Sequence, residues 1–212
     1  MSTGHDDPRF ARTYVRVAGR AERRGVADHR RRLLDGLHGT VVEVGAGHGL
    51  NFPYYPPTVQ RVVAVEPNRS LRTDAEAAAT RAAVFVEVHE GVADRLPLDD
   101  GAADAAVVSL VLCSVPDQPQ ALAELRRVVR PGGELRFYEH VQPTGQPKRA
   151  LAGVLDRSGL WPRLVGGCHL SRDTEAAIEV AGFAIARIER FPFSPSALEP
   201  SLPYILGVAV RA

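Results

Sequence analysis

The chain has 212 residues, 45% of them apolar and 24% charged, enough for one substantial core and too few for two. Its 26 basic and 25 acidic side chains are interspersed and leave a formal charge of +1, which argues against a nucleic-acid partner. The two cysteines, Cys113 and Cys168, exclude a multi-disulfide scaffold, and without a Cys/His cluster of zinc-ligand spacing no metal site is expected.

From the N-terminus, residues 1–9 are polar and acidic and lead into no apolar stretch of the ~20 residues a membrane span needs. The expectation is a cytoplasmic protein without an integral membrane segment. Phe10, Tyr14 and Val17 share one helical face. Arg23, Arg24, Arg30, Arg31 and Arg32 crowd the next segment, while Ala27, Leu33, Leu34 and Leu37 supply an apolar stripe, so these arginines read as a solvated helix face. A patch for phosphate or lipid headgroups is the alternative.

Short valine-rich runs follow at residues 41–44, 62–65, 84–88, 105–112 and 135–138, continuous in apolar character as in a parallel sheet covered on both faces. Helical spacing is read between them at 71–81 and 118–130, the second stopped by Pro131-Gly132-Gly133. Two more helices are expected at 148–160 and 171–181, then strands at 183–191 and 204–211. Between them Pro192, Pro195, Pro200 and Pro203 mark a loop poor as continuous sheet, and the last two strands are expected to pair antiparallel at one end of the sheet. The pattern predicts a single α/β domain over 1–212 with a Rossmann-like doubly wound sheet of seven strands, mostly parallel with an antiparallel last strand.

Glu43-Val44-Gly45-Ala46-Gly47-His48-Gly49-Leu50 carries an apolar strand into glycines at alternate positions, where backbone can approach a ligand closely. The third glycine arrives one position too early for a dinucleotide-binding loop. Glu66 and Pro67 follow about twenty residues later at the end of the next strand, where a carboxylate can accept from ribose hydroxyls. This arrangement resembles the first motifs of class I S-adenosylmethionine-dependent methyltransferases.

Three further stretches narrow the likeness: Leu50-Asn51-Phe52-Pro53-Tyr54-Tyr55-Pro56-Pro57; Leu110 to Val115 together with Glu139-His140-Val141; and Gly167-Cys168-His169-Leu170-Ser171-Arg172. They are similar to the methyltransferase-like alkyl thiol methyltransferases of animals and their bacterial relatives, whose animal members carry an N-terminal apolar anchor where this sequence starts polar. The resemblance implies S-adenosylmethionine as cofactor, bound by Glu43, Gly45, Ala46, Gly47, Gly49, Asn51, Glu66 and Pro67. It also implies that Val92, Ala93 and Asp94 stand at adenine, with Val92 replacing the family's usual acid, and that Leu110 and Cys113 line the methionine end.

Methyl transfer from a sulfonium needs a base only where the acceptor arrives protonated, and His140, at the carboxyl edge of the fifth strand, is the candidate. Tyr14, Tyr54, His140 and His169 are candidates for acceptor binding, with Tyr55 and Trp161 as further aromatic wall. Residues 1–38 are expected to form a helical cap and 142–182 a cover over the acceptor pocket. The expected acceptor is a small apolar thiol; a lipid-headgroup amine, a metabolite hydroxyl, or a non-enzymatic cofactor-binding domain are the competing readings. Oligomeric state is left open.

Overall fold

The computed structural model describes residues 7–159, 161, 163, 167–194 and 201–212. Seven strands, β1 (Gly39–Val44), β2 (Val59–Val65), β3 (Val86–His89), β4 (Ala103–Ser109), β5 (Val129–His140), β6 (Phe183–Phe193) and β7 (Leu202–Arg211), form one sheet in the order β3-β2-β1-β4-β5-β7-β6. β1 pairs parallel with both β2 and β4, so the strand order reverses beside it and opens a crevice at the carboxyl ends. β7 runs antiparallel to both β5 and β6.

The valine runs are continuous because both faces are covered. Val42, Val44, Val63, Val65, Ala106 and Val108 point into one core with Leu122 and Leu125 of α4 (Gln118–Val128). Their neighbours Val41, Val62, Ala64, Ala105 and Val107 point into the other, against Leu33 and Leu34 of α2 (Ala27–Leu34) and Ala75 of α3 (Arg69–Ala79). α1 (Pro8–Ala21) precedes α2, and the chain bends between them at Gly25, whose φ of 119° lies where a side chain is strained. After β5 come α5 (Gln146–Arg157) and α6 (Thr174–Val180). Side-chain caps start the helices: Asn68 for α3, Asp117 for α4 and Asp173 for α6.

Several boundaries differ from the sequence reading. The strand expected at 84–88 pairs from Val86 to His89. The run 105–112 leaves the sheet after Ser109, because Leu110 turns into the left-handed region at φ 61°. The helix expected to reach 130 ends at Val128, and Pro131-Gly132-Gly133 lies in the irregular first part of β5. The segment 171–181 turns helical only after the Asp173 cap. Pro192 and Pro203, expected in the loop, lie inside the last two strands and face each other across the ladder, Pro192 on the edge strand β6, where a missing donor is tolerated, and Pro203 near the start of β7. Leu160, Pro195 and Pro200 lie outside the described residues. Among the described residues no helix is long and apolar enough to cross a membrane.

The tightest point of the antiparallel end is Gly207, opposite Phe137 on one side and Ile188 on the other. A Cβ there would stand 2.4 Å from both the Arg187 carbonyl oxygen and the Phe137 ring. Gly207→Ala should lower stability by about 2–3 kcal/mol through overpacking, read as an earlier midpoint in urea with an unchanged slope.

Candidate active site

β1 runs into a loop whose three glycines, Gly45, Gly47 and Gly49, all hold positive φ. Gly45 and Ala46 donate to the Val65 carbonyl, 2.8 and 3.2 Å away, which ties the loop to the end of β2. Gly49 admits nothing larger: a Cβ would lie 2.7 Å from the Phe52 ring and 2.8 Å from Ala78. Glu66, 5% exposed, accepts from the Gly47 amide through one oxygen and from the Asn68 amide through the other, both at 2.8 Å. Each oxygen keeps a further lone pair for a ligand hydroxyl.

Beneath the loop, Glu43 is 2% exposed and accepts from Asn51 Nδ2 at 2.9 Å and from the Tyr55 hydroxyl at 2.8 Å. Asn51 turns its oxygen to Arg30 Nη1 at 2.8 Å, and Arg30 Nε reaches Glu22 at 2.8 Å. Arg30 is therefore buried, and its sequence reading as part of a solvated face is corrected; Arg23, Arg24, Arg31 and Arg32 do lie exposed. The apolar surroundings made by Ala46, Phe52 and Tyr55 exclude water here, and burial pushes Glu43 up to about 7 against the hydrogen bonds from Tyr55 and Asn51. Glu43 and Asn51 thus act on the loop from below.

Tyr14, expected at the acceptor, lies over the cofactor loop. Its hydroxyl is 3.1 Å from where a Cβ on Gly47 would be, and its ring meets His48 edge-on at 5.8 Å. Tyr54 packs beneath the Arg31 guanidinium, 5.0 Å from ring centre, on the α2 side. Pro67 is half-buried and its carbonyl accepts from Arg72. After β3, Val92 and Ala93 are half-buried, Val92 bridges to Arg95, and Asp94 is exposed.

At the ends of β4 and β5 the chain builds a second cluster. Glu139 is fully buried and its carboxylate accepts from the amides of Val111, Leu112 and Cys113 at 2.9, 3.0 and 3.1 Å. Burial pushes Glu139 up to about 7, opposed by those three amides. The same bonds fix the turn that holds Leu110 in its left-handed conformation, 36% exposed at the crevice. His140 is 2% exposed, with Nδ1 3.8 Å from Cys168 Sγ, its ring edge-on to Tyr204, and Nε2 buried without a hydrogen-bond partner among the described residues. Cys113 is buried and Cys168 half-buried, and the two thiols lie within interaction reach of each other. His169 donates its amide to the Cys113 carbonyl at 2.8 Å and turns its ring toward Asp156, 3.8 Å away. Trp161 is half-buried, with its indole nitrogen buried.

The sequence reading missed the roles of Arg30, Tyr55, Glu139 and Cys168. For Glu139 a signal existed: a carboxylate in the middle of Phe137-Tyr138-Glu139-His140-Val141 has no reason to sit in a buried strand unless it has donors to meet.

A methyltransferase-domain family model matches residues 42–137. The chain is 38% identical over 186 residues to thiol S-methyltransferase TMT1B of Homo sapiens, across 84% of this chain and 74% of that protein. The chain belongs to the S-adenosylmethionine-dependent methyltransferases. The methyltransferase also shares its fold with a possible histamine N-methyltransferase from Thermotoga maritima (TM-score 0.66, 21% identity, 96% of this chain and 97% of that one). A geranyl diphosphate C-methyltransferase from Streptomyces coelicolor A3(2), solved with S-adenosyl-L-homocysteine, aligns with TM-score 0.68 at 18% identity over 88% of this chain and 78% of that one. S-Adenosylmethionine is the cofactor, and the groups at the glycine loop suit it: a glycine cradle closed to side chains, a carboxylate with spare lone pairs, and His48 Nδ1, buried and without a hydrogen-bond partner among the described residues.

Removing Arg30 leaves the oxygens of Asn51 and Glu22 without their donor in a buried place. Arg30→Met should cost about 3 kcal/mol, read by urea unfolding. Glu43 and Glu139 both sit above the ordinary carboxylate range. Their contribution is therefore full below about pH 4.5 and lost as pH rises through about 7, whereas Asp104, Glu124 and Asp156, held low, contribute only above about pH 4. The melting temperature should peak near pH 5–6 and decline toward pH 8, a decline that Glu43→Gln reduces in a calorimetric pH series.

Proposed function

We propose that this methyltransferase transfers the methyl group to the sulfur of a small, apolar thiol. The observation that carries the reading is the buried His140 imidazole, one nitrogen beside the Cys168 sulfur and the other free, at the crevice end of β5. The 38% identity to TMT1B, named as a thiol S-methyltransferase, supports it, and the chain's balanced charge favours a small-molecule acceptor over nucleic acid.

S-Adenosylmethionine, when bound, supplies a methyl group on an already activated sulfonium. Gly45, Ala46, Gly47 and Gly49 would take its amino-acid end against backbone, Glu66 its ribose hydroxyls, and the 92–94 segment the edge of adenine. Leu110 and the 111–113 turn would line the approach to the methyl group, with residues 1–38 capping the cofactor loop through Tyr14 and residues 142–182 covering the acceptor side with His169. An alkyl thiol, pKa about 8.5, arrives mostly protonated. His140 takes that proton at Nε2 while its Nδ1–H points at Cys168, whose thiolate steadies the imidazolium as the orienting acid does in a catalytic triad.

Turnover of labelled S-adenosylmethionine across alkyl thiols, aryl thiols, amines and phenols tests this. Thiols should be methylated, and His140→Gln should lower kcat for alkyl thiols by about 10²–10⁴ with much less effect on aryl thiols that arrive ionised. Glu66→Gln should weaken cofactor binding by about 10- to 100-fold by calorimetric titration. Turnover confined to amines or phenols would remove the thiol assignment, and an equal loss for every acceptor would leave His140 a structural role.

A further inference from the structure

The two cysteines stand together although they arrive from distant parts of the chain, Cys113 in the turn after β4 and Cys168 in the loop before α6. Both are free thiols, and each lies within interaction reach of the other. The His169 amide to Cys113 carbonyl bond, one residue away, brings the two backbones to strand-pair distance, which a disulfide of Cα separation about 5.5 Å can span. The pair is also asymmetric. Cys113 is buried, while Cys168 is half-buried and flanked by the His140 imidazole at 3.8 Å. The Arg172 guanidinium lies within electrostatic reach of both sulfurs and bonds the Leu112 and Val115 carbonyls of the same turn.

We propose that Cys168 and Cys113 form a reactive dithiol that exchanges with small organic disulfides at the acceptor pocket and closes to an internal disulfide. The neighbouring Cys113 and His140 hold the Cys168 thiol well below the ordinary range, whereas its interaction with Cys168 and then burial raise Cys113. The first thiol to react is therefore the accessible one. The Cys168 thiolate attacks one sulfur of RSSR; the Cys168–SR bond forms, the RS–SR bond breaks, and RS⁻ leaves. Cys113 then gives its proton to that RS⁻ and attacks Cys168 Sγ, expelling the second RS⁻. The protein is oxidised by two electrons, and one RSSR has become one RSH and one RS⁻.

Closure would take the Cys168 thiolate away from His140, and that consequence for methyl transfer rests on the thiol-acceptor reading. The dithiol itself does not, and its test reads mass rather than turnover. The full chain is incubated with oxidised glutathione or cystamine, and intact mass and non-reducing peptide maps are followed. Wild type should lose two hydrogens, yield a peptide joined through Cys113 and Cys168, and keep no lasting adduct, with full reversal by dithiothreitol. Cys113→Ser should retain one glutathione on Cys168, and Cys168→Ser should leave Cys113 unmodified over the same time. The wild-type map decides even where a variant folds poorly. Two free thiols after exposure, a lasting adduct on Cys168 without the crosslink, or first reaction at Cys113 would each overturn the proposal.

Discussion

The buried carboxylate of Glu43 is the contact on which the site depends. It sits one residue before the end of β1, in a core that excludes water, and is tolerable there only because Asn51 and Tyr55 both donate to it. Those two donors lie on the far side of the glycine loop, so satisfying the charge folds residues 45–51 back over the strand end. Asn51 then needs a partner for its oxygen and takes Arg30, which takes Glu22. A single desolvated charge thus sets the loop geometry and anchors the N-terminal helices that put Tyr14 over Gly47.

Glu139 repeats the device on the next side of the switch point. Its three backbone donors form the turn after β4, and that turn carries both the strained Leu110 and Cys113. The two glutamates thus shape the two walls of the crevice, Glu43 the one at the glycine loop and Glu139 the one after β4. Strand ends supply the positions and buried carboxylates define the backbone there, so the geometry is held by desolvated hydrogen bonds in place of flexible surface contacts.

The sheet was legible because its signal is local: valine runs with both faces apolar, separated by caps and glycines, read out their own periodicity. Boundaries failed where a distant group decides. Ser109 is the last residue of β4 because Glu139, thirty positions later, captures the following amides, and no window around residue 110 contains that fact. The glycine loop and Glu66 were legible for the same reason as the strands, being adjacent to them. For Tyr14 a helical face shows that it packs without showing on what, and its contact with Gly47 and His48 was not legible. Arg30 was read as solvated because its neighbours are, while its partner Asn51 lies twenty-one residues away.

The electrostatics of the wall after β4 bear on which nucleophile it suits. Glu139's charge is met by three amides and turned away from the crevice. His140 Nδ1 lies 3.8 Å from Cys168 Sγ, and the Arg172 guanidinium adds a positive charge within electrostatic reach of both sulfurs. An acceptor that becomes anionic as it gives up its proton would be stabilised by the Arg172 guanidinium, the more so where little water screens it. An amine acceptor develops positive charge as it is methylated and would gain nothing from that cation. On the thiol-acceptor reading, the cation that would favour a thiolate substrate is the one that lies near Cys168, so a sulfur acceptor and the proposed dithiol would draw on one charge arrangement.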